Sequence, residues 1–114
     1  MQRVMSTAFT AAGSPLAVSR AIEEYARAQG HVTALVVPWE SDATTLSMAV
    51  TAVKSDGWAI EHTNLGTITL TGLGRDATRV AIAVHEPDHS EKPRLLALFD
   101  QFAHQLERQL SAAS

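Results

Sequence analysis

The sequence predicts an α+β fold, in which an antiparallel sheet is covered by amphipathic helices in the order β-α-β-α-β-β-β-α. Three observations predict this class. Apolar side chains recur with helical period over residues 15–29 and 94–110. Residues 58–85 instead alternate apolar and polar side chains, as strands do. The chain has 114 residues, which suits a single domain over residues 1–114. We therefore expect a two-layer sandwich containing a three-stranded meander over about residues 58–85.

The first three elements follow from local signals. A strand is expected within residues 4–12. Ser14 can cap a helix whose first residue is Pro15, because the N–H that proline lacks has no partner at that position. Gly30 ends this helix, since glycine adopts the left-handed conformation that closes helices. Residues 32–37 are apolar apart from Thr33, so both faces of the segment carry apolar side chains, which predicts a strand inside the sheet rather than at its edge.

A second helix is predicted after Ser41 or Asp42, either of which can serve as its N-cap. Its apolar stripe would comprise Leu46, Ala49, Val50 and Val53, which recur at helical spacing. The pair Asp56-Gly57 would end it.

The meander is predicted from alternating apolar residues and from two turns. A three-residue turn at Asn64-Leu65-Gly66, with Gly66 left-handed, would join its first two strands. A loop over residues 73–77 would join the second and third. The expected cross-strand pairs are Ile60 with Leu70, His62 with Ile68, Leu70 with Val80, and Ile68 with Ile82. This register places all these side chains on one face of the sheet.

The last helix is expected to begin near Ser90, with Pro93 in its first turn. Its apolar stripe comprises Leu95, Phe99, Phe102 and Leu106, widened by Leu98 and Leu110. A stripe of this length is the natural cover for the apolar face of the meander.

One catalytic string is present: His85-Glu86-Pro87-Asp88-His89 spells the H-E-x-x-H pattern of zinc proteases. That chemistry needs both histidines on one helical turn, and Pro87 removes a helical hydrogen bond and clashes with the preceding turn. We therefore expect a polar turn here and predict no catalytic residue and no cofactor. If a metal binds, His85 and His89 are the candidate ligands. A small metal-dependent hydrolase remains the enzymatic alternative.

A second string, Gly72-Leu73-Gly74-Arg75-Asp76-Ala77, matches the glycine-rich dinucleotide fingerprint, which requires a helix directly after it. Residues 79–84 are patterned as a strand, so a hairpin loop is the expected structure.

Bulk composition excludes several classes of function. A net charge of −3 opposes binding to a phosphate backbone, so no nucleic-acid partner is expected. The apolar run over residues 32–37, which Thr33 interrupts, is far shorter than the roughly 20 residues that cross a bilayer. The absence of cysteine rules out disulfides and thiolate chemistry. We expect a bacterial, cytoplasmic protein without a membrane partner.

Two binding hypotheses remain. Trp39, Trp58 and His62 lie near predicted strand ends and could line a site for a small apolar ligand under the last helix. The opposite face of the meander carries only small side chains at its centre, which favours close approach of a second copy. Its residues are Thr67, Thr69, Thr71, Ala81 and Ala83. The sequence therefore predicts a non-enzymatic binding or interaction module, with a homodimer ranked above a ligand carrier.

The predicted succession over residues 42–110 is helix, strand, glycine turn, strand, loop, strand and long helix. This order resembles the small helix-grip domains of bacterial lipoproteins and ligand carriers. It is less similar to the roadblock-type adaptor fold, which needs a further strand between Val37 and Asp42. Both resemblances rest on element order, and neither assigns a functional residue.

Overall fold

A computed structural model describes residues 6–38, 41–42, 44–56, 59–85 and 92–110 of the chain. Its elements are β1 (Ser6–Ala12), α1 (Pro15–Gln29), β2 (Val32–Val36), β3 (Thr45–Asp56), β4 (Ala59–Gly72), β5 (Ala77–Val84) and α2 (Lys92–Leu110). Neither helix within these ranges is long and apolar enough to cross a membrane.

The five strands form one open sheet in the order β1-β5-β4-β3-β2, and every neighbouring pair is antiparallel. The large buried side chains of the strands lie on one face, and α1 and α2 pack against that face. The predicted α+β class is thus confirmed, as is the packing of the C-terminal helix on the sheet. The predicted three-stranded meander over about residues 58–85 is only partly right: consecutive strands β2, β3, β4 and β5 lie side by side, and β1 lies beside β5.

Helix α1 begins and ends where the sequence predicts, whereas the predicted start of the last helix near Ser90 lies outside the described residues. The Ser14 hydroxyl accepts a hydrogen bond from the backbone N–H of Ala17 at 3.2 Å, and Pro15 occupies the first helical position of α1. Gly30 closes α1 at φ 83°, a conformation that glycine adopts without strain. In α2 the predicted apolar stripe is buried throughout: Leu95, Phe99, Phe102 and Leu106.

The predicted register between the last two strands is confirmed. Ile68 lies opposite Ile82, and Leu70 lies opposite Val80, with all four side chains buried under the helices. The predicted loop is also present, since residues 73–76 connect the two strands.

The predicted second helix is wrong, because residues 45–56 form strand β3. Leu46, Met48 and Val50 recur with period two and face the helices, opposite apolar positions of β4. The same segment also satisfies helical spacing, so its local pattern is ambiguous. Pairing with β2 on one side and β4 on the other selects the strand.

The predicted turn at Asn64-Leu65-Gly66 is also wrong, because β4 runs without interruption through these residues. Val50 pairs with Gly66 and Thr51 with Asn64, so Leu65 is the extra residue of a β-bulge, and its side chain is buried. The predicted pairs that depended on the turn, Ile60 with Leu70 and His62 with Ile68, do not form.

Gly66 is required by packing and not by a turn. A Cβ built on it would lie 2.4 Å from the carbonyl oxygen of Ala83 and 2.6 Å from the Phe99 ring. Phe99 itself is fully buried, so glycine lets α2 approach the sheet closely at this point.

Strand β2 lies at the edge of the sheet, not inside it as predicted. Val32 and Ala34 are buried on the helix side, whereas Leu35 points to the other side and is 58% exposed. Only one face of this strand is therefore buried. Leu35 gave the sequence its apolar pattern on both faces, although its side chain is exposed.

Candidate functional site

The face of the sheet that neither helix covers, called here the open face, carries the five residues predicted as an interface. Thr67 lies opposite Ala83 and Thr69 opposite Ala81, while Thr71 lies opposite Arg79. Strand register thus brings all five residues together on one surface at the centre of the sheet.

The open face continues onto the flanking strands. Its further members are Ala8, Thr10 and Ala12 in β1, Thr45, Ser47, Ala49 and Thr51 in β3, and Thr33 and Leu35 in β2. They form cross-strand rows, such as Leu35, Ala49, Thr67 and Ala83. Every side chain in this set except Leu35 is Ala, Ser or Thr. The sequence analysis found the central part of this surface but missed its extension over β1, β2 and β3, since β3 was assigned to a helix.

Charge and exposure define the chemistry of the open face. Among its described side chains Arg79 carries the only charge, and it lies near the start of β5, just after the β4–β5 loop ends. Leu35 is among the most exposed large apolar side chains, and Thr67, Ala83 and the β1 residues are also exposed. The surface is therefore weakly polar, nearly neutral and free of bulky groups at its centre.

The loop after β2 closes one corner of this face. The hydroxyl of Ser41 accepts from the backbone N–H of Ser47 at 3.0 Å and donates to the carbonyl of Val37 at 2.8 Å. Asp42 Oδ1 accepts from the backbone N–H of Thr44 at 2.8 Å and of Thr45 at 2.9 Å. These bonds, with one from the Thr44 hydroxyl, lower the pKa of Asp42 below its ordinary value.

The predicted ligand site is not assembled by the described residues. Trp39 and Trp58 lie outside them. His62 is exposed and lies opposite Val53, on the part of the β3–β4 hairpin that extends past the ends of β2 and β5. The prediction that it shares the apolar face beside Ile68 is wrong, because that placement required the absent turn.

Two clefts lie between α1 and α2, and His62 lines neither of them. The smaller one, of about 100 Å³, has a floor of Val32 and Phe102 and an amide rim that includes Gln101 and Gln105. The larger one, of about 320 Å³, is lined by Tyr25, Gln105, Arg108 and Gln109. The hydroxyl of Tyr25 donates to Gln105 Oε1 where the helices meet, and its ring lies 5.7 Å from that of Phe102. The helical spacing of these glutamines was the sequence signal for this groove, and it was not used.

The structure tests the dinucleotide-like sequence motif but not the whole of the candidate metal-binding motif. His85 directly follows β5 and is exposed, whereas residues 86–89 lie outside the described residues, so the metal prediction stays a prediction. Within the described ranges no three His, Asp or Glu side chains are grouped so that they could hold a metal ion. The glycine-rich string is confirmed as a hairpin loop, because Leu73 N–H donates to Ala77 O and a strand follows.

In comparisons with known proteins, no family, curated protein or solved structure matches this chain. The element order that suggested helix-grip domains included a helix over residues 42–53 and a glycine turn, neither of which forms. The functional argument therefore rests on the geometry of the chain itself.

Proposed function

We propose that this protein is a non-enzymatic interaction module that associates with a second copy of itself through the open face. One observation carries the proposal: a five-stranded sheet has one face packed against two helices, while its other face presents rows of small side chains, mostly Ala and Thr, with a single charge among those that the structure describes.

The side chains of the open face suit packing against another sheet. Sheets pack face to face at about 10 Å, and Ala and Thr permit an approach at least this close. Thr69 and Ala81 lie at the centre, so no bulky or charged group holds the two surfaces apart there. In a twofold dimer the same surface of each copy contacts its counterpart, so the surface must be complementary to itself. A flat surface of small, uncharged side chains meets this requirement.

The plan area of the open face is of the same order as one side of a standard dimer interface. Five strands spaced about 4.8 Å apart, taken with a common length of about 23 Å, give a plan area on the order of 500 Å². The accessible surface exceeds the plan area, because side chains roughen it and β3 and β4 are longer strands. A standard interface buries about 800 Å² on each partner.

The experiment introduces a charge at the centre of the face. Ala81→Lys and Thr69→Lys should remove the face-to-face contact and so halve the sedimenting mass, since the new ammonium group would be buried without a partner. Ala28→Lys, on the exposed side of α1, is the matched control and should leave the mass unchanged. Retention of the wild-type mass by both open-face variants would place the interface elsewhere.

A further inference from the structure

The outer edge of β1 is a second feature through which this chain could associate. Strand β1 ends the sheet, so one side of its backbone has no neighbouring strand. An exposed edge presents N–H and C=O groups that can pair with another strand. The hydrogen-bond pattern identifies which residues present them.

Gly13 N–H donates to Asp76 O at 2.7 Å, which marks these residues as a hydrogen-bonded pair. Alternate pairs along the two strands then exchange hydrogen bonds, namely Ala11 with Thr78, Phe9 with Val80, and Thr7 with Ile82. The bonds between β5 and β4 are consistent with this assignment. His85 N–H donates to Leu65 O, so the odd-numbered residues of β5 bond to β4 and its even-numbered residues bond to β1. The backbone groups directed outward from β1 therefore belong to Ser6, Ala8, Thr10 and Ala12.

This edge lacks the features that protect sheet edges. Residues 7–12 contain no charged residue and no proline, and β1 pairs with β5 without a bulge. No described residue hydrogen-bonds the outward groups of Ala8, Thr10 and Ala12. The opposite edge differs, because β2 has only five residues and Pro38 follows it closely.

We infer that the β1 edge pairs antiparallel with β1 of a second copy, joining two sheets into one of ten strands. A twofold axis at Phe9 sets Ala8 against Thr10 of the other copy, and Ser6 against its Ala12. All four outward residues are then hydrogen-bonded, for eight bonds in total by the alternation of an antiparallel ladder. The side chains of these four residues are small and uncharged, so none of them opposes this register.

The side chain of Phe9 also favours a second copy of β1 as the partner of this edge. Phe9 packs against the core on the helix side but is only half-buried, and the Phe9 ring of the second copy would cover it. Because the axis is perpendicular to the sheet, both open faces point the same way and become continuous. This inference is independent of the proposed face-to-face association. The two axes are perpendicular, so both contacts can form at once in a tetramer.

Sedimentation of three variants tests the edge separately from the face. Thr10→Pro removes an outward N–H without losing a bond to β5, whereas Thr10→Val keeps the N–H and is the matched control. We expect four chains of 12.2 kDa for the wild type and for Thr10→Val, and two chains for Thr10→Pro and for Ala81→Lys. If Thr10→Pro, folded by circular dichroism, kept the wild-type mass, the edge inference would be overturned. A dimeric wild type that only Ala81→Lys dissociates would also overturn it, while leaving the proposed function intact.

Amide exchange gives a reading that needs no variant. In the assembled protein the N–H groups of Ala8 and Thr10 should exchange slowly, and dilution to the unpaired state should make them exchange at least tenfold faster. Fast exchange of both at concentrations where the protein is associated would exclude edge pairing even if Thr10→Pro failed to fold.

Discussion

The two faces of the sheet share the same strands and differ in the size of their side chains. On the helix side, Ile68, Leu70, Val80 and Ile82 are buried with large residues of α1 and α2. On the open face, one residue away along each strand, the neighbours are Thr67, Thr69, Thr71, Ala81 and Ala83. Because strand residues alternate between faces, one sequence specifies both surfaces independently.

This difference separates folding from association. Burial of large apolar side chains under the helices supplies the stability of a single chain. The open face contributes little to that core, and its neutral, small side chains cost little to desolvate against another surface. Substitutions on the helix side should therefore change the free energy of unfolding, while substitutions on the open face should change the association state.

The largest effect is expected for Phe99→Ala. Phe99 is fully buried where α2 meets Gly66, and truncation of a buried phenylalanine costs about 3–5 kcal/mol. Leu35→Ala on the open face should cost less than about 1 kcal/mol at a dilution where chains are separate, because Leu35 is mostly exposed. Urea unfolding of both variants measures the contrast. Similar losses for the two would contradict the separation.

A smaller loss is expected for Gly66→Ala. Its new methyl group would meet the backbone carbonyl of Ala83, so the strands or Phe99 must shift, and overpacking of this kind costs about 1–3 kcal/mol. Gly72→Ala in the same strand is the control, since the nearest atom there, on Pro15, is 3.5 Å away. Thermal unfolding should show destabilisation at Gly66 alone. Equal stability of the two variants would show that the close approach is unnecessary.

The contact between the helices should contribute less again. Tyr25→Phe removes the hydroxyl that donates to Gln105 while keeping the ring near Phe102. A hydrogen bond of this kind contributes about 0.5–1.5 kcal/mol. A double-mutant cycle with Gln105→Ala measures the coupling. Additive losses would mean that the bond does not stabilise the helix layer.

The smallest effect concerns Asp42 beside the open face. Hydrogen bonds from Thr44 and Thr45 lower its pKa below the ordinary 3.8, so the folded state favours the carboxylate. This contribution is present above the unfolded pKa and is lost as pH falls through the lower folded pKa. The stability difference between wild type and Asp42→Ala should therefore shrink over that acidic range. An NMR titration giving Asp42 a pKa at or above 3.8 would refute the assignment.

The elements whose ends or pairing depend on nearby residues could be predicted from the sequence. Ser14, Pro15 and Gly30 specify the ends of α1, and alternation between Ile68 and Ile82 specifies the register of β4 and β5. The errors arose where distant contacts decide. Residues 45–56 fit both periods until β2 and β4 pair with them. Glycine at position 66 suggests a turn by residue type. The residue is in fact needed there because Phe99, which is distant in the sequence, packs where a side chain would lie.

The candidate site divides in the same way. Alternation alone placed Thr67, Thr69, Thr71, Ala81 and Ala83 on one surface, and the structure groups them so. The extension of that surface over Ala49 and Leu35 could not be predicted, because it depends on β3 being a strand and β2 being an edge. The placement of His62 failed with the turn on which it depended.

The central claim is that the open face is an interface between copies of this chain. Sedimentation velocity of the wild-type protein over a dilution series, in dilute buffer, tests it most directly. We predict an assembly of at least two chains that dissociates toward 12.2 kDa only on strong dilution. A single chain persisting at high micromolar concentration would contradict the account, because the open face would then remain exposed to solvent without binding a second copy.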